Sequence, residues 1–467
     1  KRAEGSEMLA SFKIQELLDA ADGKLIQKGN ADFVSGVSTD SRTIGEGELF
    51  IALRGDNFDG HDYVSKAVSR KAAAVMVSDL ALLKEWGNFV TVICVKDTLS
   101  ALFSLAHFHR MRFSVPVVGI TGSNGKTTTK DMLSAVLSSV YKITSTQKNF
   151  NNEIGLSQTL LSMTGETEVC VTEMGMRGLG QINQLCSITS PTMGIVTNVG
   201  TSHIGILGSQ ENIALAKSEL IRNLSEDGTA ILNGDDPFVR RMGTLCNHVV
   251  YYGLGETCSV RGKDIVYDGE STCYICVYLD KEYPVKLNLL GIHNVYDSLA
   301  AAAAGLSLGV DMDHIVEALK NFKPIGQRQT ILNIHGVTVL DDSYNANPLS
   351  MEMAFSSLAQ MNAEHRYLVL GDMGELGKFE KQLHFKTGAK AAQFSFDGLI
   401  TVGPLCHELA RGAKENGMEN VFSFESCEDA AECLMDIVKP GDAVLVKGSH
   451  YMHMEEIPKI IDRSYIK

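Results

Sequence analysis

Short apolar runs, each closed by a glycine or polar tip, recur along this chain and alternate with stretches of helical period. Up to about residue 110, "GELFIAL", "AAAVMV" and "FVTVICV" read as strands and "FKIQELLDAA" as a helix. From "VPVVGITG" the alternation becomes regular: "VPVVGI", "YKITST", "EVCVTEMG", "TMGIVTNVG" and "GTAILNGDD" are strands separated by helical segments. From "FKPIGQRQ" onward "VTVLDDSYN", "RYLVLGDMG", "LITVGP" and "DAVLVKGS" repeat the grammar. Strand–helix alternation predicts an α/β protein with parallel sheets covered on both faces. Blocks over 1–110, 111–322 and 323–467 are expected to be three domains. Ligands in such sheets bind at the carboxyl ends of the strands, where the polar tips lie.

A chain of 467 residues exceeds what one hydrophobic core organises. No apolar run reaches the roughly 18 residues of a membrane span. The start, "KRAEGSEMLASFKIQELL", is charged and then amphipathic, without a secretory core, so a cytoplasmic protein is expected. Residues 1–7 are set aside from fold reasoning. A net charge of −14 and the lack of a basic run argue against a nucleic-acid binder. Phosphorylated ligands need only a local positive pocket and stay open. The ten cysteines are scattered. Cys273 and Cys276 form a C-x-x-C inside the strand "STCYICVYL", where period 2 sends them to opposite faces, so structural thiols are expected.

"GITGSNGKTTTK", residues 119–130, resembles G-x-x-x-x-G-K-[ST] with its first glycine one place early, at Gly119 instead of residue 120. Gly125, Lys126 and Thr127 fit. The segment follows a buried strand and precedes Leu133, Val136, Leu137 and Val140 at helical spacing, the setting a phosphate cradle requires. Gly122 and Gly125 let backbone N–H groups turn toward an anion, Lys126 supplies charge for the β/γ-phosphates, and the Thr127 hydroxyl suits Mg²⁺. A nucleoside triphosphate site follows.

In "SQENIALAKSELIRNL" the apolar stripe Ile213, Leu220, Ile221 and Leu224 includes Lys217. An inward lysine must snorkel, pair with an acid or change its chemistry. Two strand tips lie near it in sequence logic: Glu173 ends "VCVTE" and His203 follows "IVTNVGTS". Each alone reads as a structural polar residue; together, beside a triphosphate loop, they read as ligands for a divalent metal.

These motifs resemble the ATP-dependent Mur ligases of peptidoglycan synthesis, whose loop carries the early-glycine spacing. The resemblance covers essentially the whole chain. It implies ATP, two Mg²⁺ ions and a carbamylated Lys217, with Thr127 and Glu173 on the first ion and His203 with Lys217 on the second. It extends the nucleotide site from Gly122, Ser123, Asn124, Gly125, Lys126, Thr127 and Thr128 to four further positions. Asn294, in "GIHNVYDSL", would meet adenine, although a helix N-cap serves equally well from sequence. Arg328, in "GQRQ", would meet the phosphates, against a surface ion pair. In "LDDSYNANP", Asp342 would meet ribose, with Tyr344, Asn345 and Asn347 around it; an Asx turn closed by Pro348 is the alternative. The catalytic set implied is Lys126, Glu173, His203, Lys217 and Arg328.

Within the family, "STDSRTIGEGELFIALRG" and "DGHDY" resemble a first domain that holds a uridine diphosphate end, with Ser41, Arg42, Gly60 and His61 as contacts. "NFNNEIG", with Asn151 and Asn152, and "LGDMGELG", with Asp372, resemble the branch that adds D-alanyl-D-alanine to UDP-N-acetylmuramoyl-tripeptide; Tyr344 joins this substrate set. The D-N-P-R signature of the diaminopimelate-adding branch is absent. The family's "KGSR" is here "KGSH": Lys447 and Ser449 remain, and His450 replaces a permanent cation. A monomer is the default expectation, and charge and hydropathy predict no nucleic-acid or membrane partner.

Overall fold

The computed structural model describes residues 10–55, 57–79, 88–147, 150–324, 326 and 328–464. Asn149, Ile325 and Gln327 of the quoted motifs lie outside them.

Three larger sheets order the chain. The first runs Lys24–Gln27, Thr91–Cys94, Ala74–Val77, Leu49–Ile51, Val37–Ser38, parallel except for its first strand. The second has nine strands, and its parallel part runs Ile143–Ser145, Val169–Glu173, Val117–Thr121, Met193–Val196, Thr229–Asn233, His248–Gly253. The third runs Thr330–Ile334, Val337–Asp341, Ala443–Lys447, Arg366–Gly371, Gly398–Val402, Val421–Phe424. Every strand quoted from the sequence lies in one of them.

The expected parallel strands form each large sheet, and antiparallel strands extend it at an edge. Val260–Tyr267, Thr272–Tyr278 and Lys281–Leu287 extend the central sheet as an antiparallel meander, and Thr330–Ile334 pairs antiparallel with Val337–Asp341. Short turns leave no room for a crossover helix, so such neighbours pair antiparallel. At Leu279 and Asp280 both φ values are positive, 49° and 59°, as a two-residue hairpin turn demands. Along Thr272–Tyr278, Cys276 is buried and Cys273 half-buried on the other face, the alternation expected.

The central sheet switches direction at Val117–Thr121: the chain leaves it for the edge strand Ile143–Ser145, returns beside it at Val169–Glu173, then crosses to Met193–Val196. Three strand tips therefore open on one crevice. The helix Gln210–Arg222 closes the sheet below it, and Gly119 and Gly194 admit it closely. A Cβ on Gly119 would stand 2.9 Å from Leu220 Cδ1 and from Met174 Cε; one on Gly194 would stand 3.1 Å from Ile221 Cδ1. Gly119 thus belongs to the strand interior, and the phosphate loop proper begins at Gly122. That accounts for its early position.

Candidate active site

The loop between Thr121 and the helix Lys126–Ser138 is braced by the neighbouring strand's tip. Ser123 N–H donates to Asn198 O at 2.9 Å and Asn124 N–H to Asn198 Oδ1 at 2.9 Å. The Thr197 hydroxyl donates to Asn124 O at 2.6 Å. A Cβ on Gly122 would overlap Thr197 Oγ1, and one on Gly125, at φ +80°, would overlap the Asp297 carboxylate. Both glycines are therefore required by close approach, and the first-turn N–H groups of a 13-residue helix face the crevice.

Lys126 donates to Gly122 O at 2.9 Å; burial lowers its pKa, Glu173 opposes that and Arg328 adds to it. Glu173 is buried, with Thr127 donating to its Oε2 at 2.8 Å and Asn151 Nδ2 to its Oε1 at 2.9 Å. Lys217 is 2% exposed. It has no hydrogen bond or ion pair among the described residues, so the snorkelling alternative does not hold. Burial, with Lys126 adding to it, pushes its pKa well below the ordinary value. Desolvation disfavours the ammonium and favours the neutral amine, a nucleophile. His203, at φ +63°, places Nδ1 2.5 Å from Glu375 Oε2, and Arg177 Nε lies 3.2 Å from Glu375 Oε1. His203 beside it, in a contact not aligned as a hydrogen bond, holds the Glu375 carboxyl below its usual range.

From the third sheet, the Arg328 guanidinium lies 4.1 Å over the Tyr344 ring, whose centroid is 5.7 Å from that of His450. Arg328 makes no ion pair among the described residues; the stack replaces it. Lys447, buried, donates to Asp342 Oδ2 at 2.6 Å. The turn at this tip is made by Asp341 and Ser343, not by Asp342. Asn347 caps the helix Pro348–Gln360 and also donates to Asn124 Oδ1 at 2.7 Å and Ser202 Oγ at 3.0 Å. Gly291, not Asn294, occupies the N-cap of Ile292–Ser307. Asn294 instead donates to Leu290 O and Gln329 Oε1.

A cavity of about 1080 Å³ lies between the second and third sheets. Its wall carries Gly122 to Thr128, Asn151, Asn152, Glu173, His203, Lys217, Asn294, Arg328, Asp342, Tyr344 and Asn347. Five expected contacts are absent from it. Ser41 is buried and Arg42 is exposed and paired with Asp40. A Cβ on Gly60 would stand 2.5 Å from Leu53 O, and His61 is buried, its Nδ1 on Asp59 and its Nε2 accepting from Ser78 N–H. Asp372 is buried and accepts from Cys406 N–H at 2.8 Å, fixing the helix Cys406–Glu415. It therefore faces backbone amides and not the cavity. Sequence reasoning missed Thr197, Asn198, Asp297 and Glu375. The first two stand in plain view in "IVTNVG", just past an apolar run.

Residues 33–105 match the family description "Mur ligase family, catalytic domain", 120–305 "Mur ligase middle domain" and 327–450 "Mur ligase, glutamate ligase domain". The UDP-N-acetylmuramoyl-tripeptide–D-alanyl-D-alanine ligase of Bacillus subtilis is 37% identical over 91% of this chain and 93% of its own. This chain belongs to the Mur ligase family. The enzyme of the same name in Escherichia coli is 32% identical over 98% of this chain and 99% of its own. Among solved structures, MurF from Acinetobacter baumannii superposes with a TM-score of 0.91 at 29% identity, over 98% of this chain and 100% of that one. MurF ligase from Thermotoga maritima, in complex with ADP, gives 0.82 at 28%, over 92% and 97%. A Mur ligase is an ATP-dependent ligase. No helix among the described residues is long and apolar enough to cross a membrane.

Proposed function

We propose that this Mur ligase joins D-alanyl-D-alanine to UDP-N-acetylmuramoyl-tripeptide in peptidoglycan precursor synthesis. One observation carries the reading: the phosphate loop, Glu173 and a buried, unpaired Lys217 share a cavity that the third sheet completes. The names of the relatives supply the substrates. Residues 1–110 would hold the uridine diphosphate end, 111–322 ATP, and 323–467 the nucleotide's far side and the dipeptide.

The residues present fit two divalent ions. Thr127 Oγ1 and Glu173 Oε2 are hard oxygen donors already 2.8 Å apart, suited to Mg²⁺. Lys217 fits only as its carbamate, formed when the neutral amine adds CO₂ and releases one proton; His203 shares that ion. Bound there, the ions would neutralise the charge of the transferring phosphoryl group.

The tripeptide's terminal carboxylate attacks the γ-phosphorus of ATP and ADP leaves, giving an acyl phosphate. The dipeptide amine adds to its carbonyl carbon, the tetrahedral intermediate loses phosphate, and an amide bond remains. Lys126 and Arg328 spread charge from opposite sides of the cavity, and the loop's N–H groups hold the phosphates; positioning and charge neutralisation are most of what such a transfer needs. Asn294 and Gln329 offer amides toward the base, and Asp342 a carboxylate toward ribose.

Phosphate release measured with each substrate omitted in turn tests this. Release that depends on both the UDP-linked tripeptide and D-alanyl-D-alanine is expected. Equal hydrolysis with neither present would contradict it.

A further inference from the structure

His203 turns the chain into the short helix Ile204–Leu207, which packs on the turn Gly377–Phe379 of the third sheet's domain. The contact is backbone on backbone. Gly205 N–H donates to Glu375 O at 3.2 Å. A Cβ on Gly205 would stand 2.6 Å from Gly377 N, and one on Gly377 would stand 2.9 Å from Gly205 Cα. Any side chain at either position pushes the two segments apart. With them together, the Glu375 carboxylate reaches His203 Nδ1 through one oxygen and Arg177 through the other.

A carboxylate in contact with Nδ1 favours the tautomer protonated there, which carries its free lone pair on Nε2. Carboxylates commonly orient metal-binding histidines in this way. The exposed Arg177 arm, a surface pair, contributes little of its own. Its place is to hold Glu375 from the middle-sheet side.

We propose that Glu375 is a positioning residue that presents His203 Nε2 to the divalent ion, so that this ligand is set only while the third sheet's domain is docked. The inference rests on the metal role given to His203 above. It makes ion binding and domain docking one event: a carboxylate from one side of the cavity completes a ligand on the other.

Manganese, with a non-hydrolysable ATP analogue, is the probe. Binding is followed by electron paramagnetic resonance, and imidazole coordination by the ¹⁴N coupling in its spin-echo signal. Wild type is expected to bind two Mn²⁺, one coupled to ¹⁴N. Glu375→Gln should weaken that ion by about 10- to 100-fold and lose the coupling, with an unchanged melting temperature. Gly205→Val, which leaves the carboxylate intact but separates the segments, should give the same loss. Two ions with wild-type affinity and coupling in Glu375→Gln would overturn the positioning role. The same result in Gly205→Val would overturn its dependence on docking. If His203→Ala also keeps both ions at wild-type affinity, the metal reading itself fails, and not this inference alone.

Discussion

The central sheet is flanked by two seams, one apolar in its core and one mixed with polar contacts. On the first-sheet side, the helix Thr98–Arg110 packs on Ile14–Ala21 and on Glu153–Leu161 and Gln181–Thr189, within one continuous apolar cluster. Leu102, Leu105 and Ala106 are fully buried there, and the buried Arg110 donates to Thr189 O and Phe113 O. On the third-sheet side Leu290, Ile204 and Tyr267 pack on that domain's apolar cluster, but the hydrogen bonds and ion contacts around the cavity cross it too: Asn347 with Asn124 and Ser202, Glu375 with His203, Gln329 with Asn294. An apolar seam loses its burial energy when opened. A polar one exchanges its hydrogen bonds for water at a net cost of about 1 kcal/mol each. The first seam therefore loses more on separation than the polar contacts around the cavity do, and the candidate chemistry sits among those polar contacts.

That contrast can be broken by substitution. Leu105→Ala leaves a cavity in the apolar seam and should cost about 2–5 kcal/mol in denaturant unfolding. The KM for ATP should hardly change in the folded fraction; a raised KM with little lost stability would reverse the assignment of the two seams. Asn347→Ala removes a helix cap worth ~1 kcal/mol and both hydrogen bonds to the phosphate-loop side. The expected result is a small fall in melting temperature with a several-fold rise in the KM for ATP.

A pH-dependent effect concerns Asp297, which accepts from Thr129 against Gly125 and whose pKa is raised by burial to about 8. A raised carboxyl pKa means that the folded state binds more protons than the unfolded one between about pH 4 and 8, so stability falls as pH rises through that window. Asp297→Asn should remove this slope. Its melting temperature should exceed wild type by a margin that grows toward pH 8 and then levels; a constant margin would refute the protonated carboxyl.

How much was legible in the sequence followed from how local each signal was. The phosphate loop is local, since glycines, lysine and threonine act within one strand-to-helix turn. Lys217 was legible because helical period alone turns it inward, and the structure buries it among Ile213, Ala216 and Leu220. Gly119 has a different purpose from the one its motif suggested: it lies under Leu220, a residue about a hundred positions away. Glu375 and Asp297 gave no signal, because their partners come from other elements and other sheets. His61 and Asp372 stand in polar, glycine-flanked motifs, and folding brings them partners from elsewhere too: His61 meets Ser78 besides Asp59, and Asp372 the amide of Cys406.

The account depends most on an amine enclosed at the nucleotide site and acting as a carbamate. Lys217→Ala in the phosphate-release assay tests it directly. The expected result is a loss of turnover on the order of 10²- to 10³-fold, as for removal of a group stabilising transition-state charge. Turnover should partly return with an added short carboxylate, and the melting temperature should not fall. Full turnover without the lysine, and no response to carboxylate, would contradict the account.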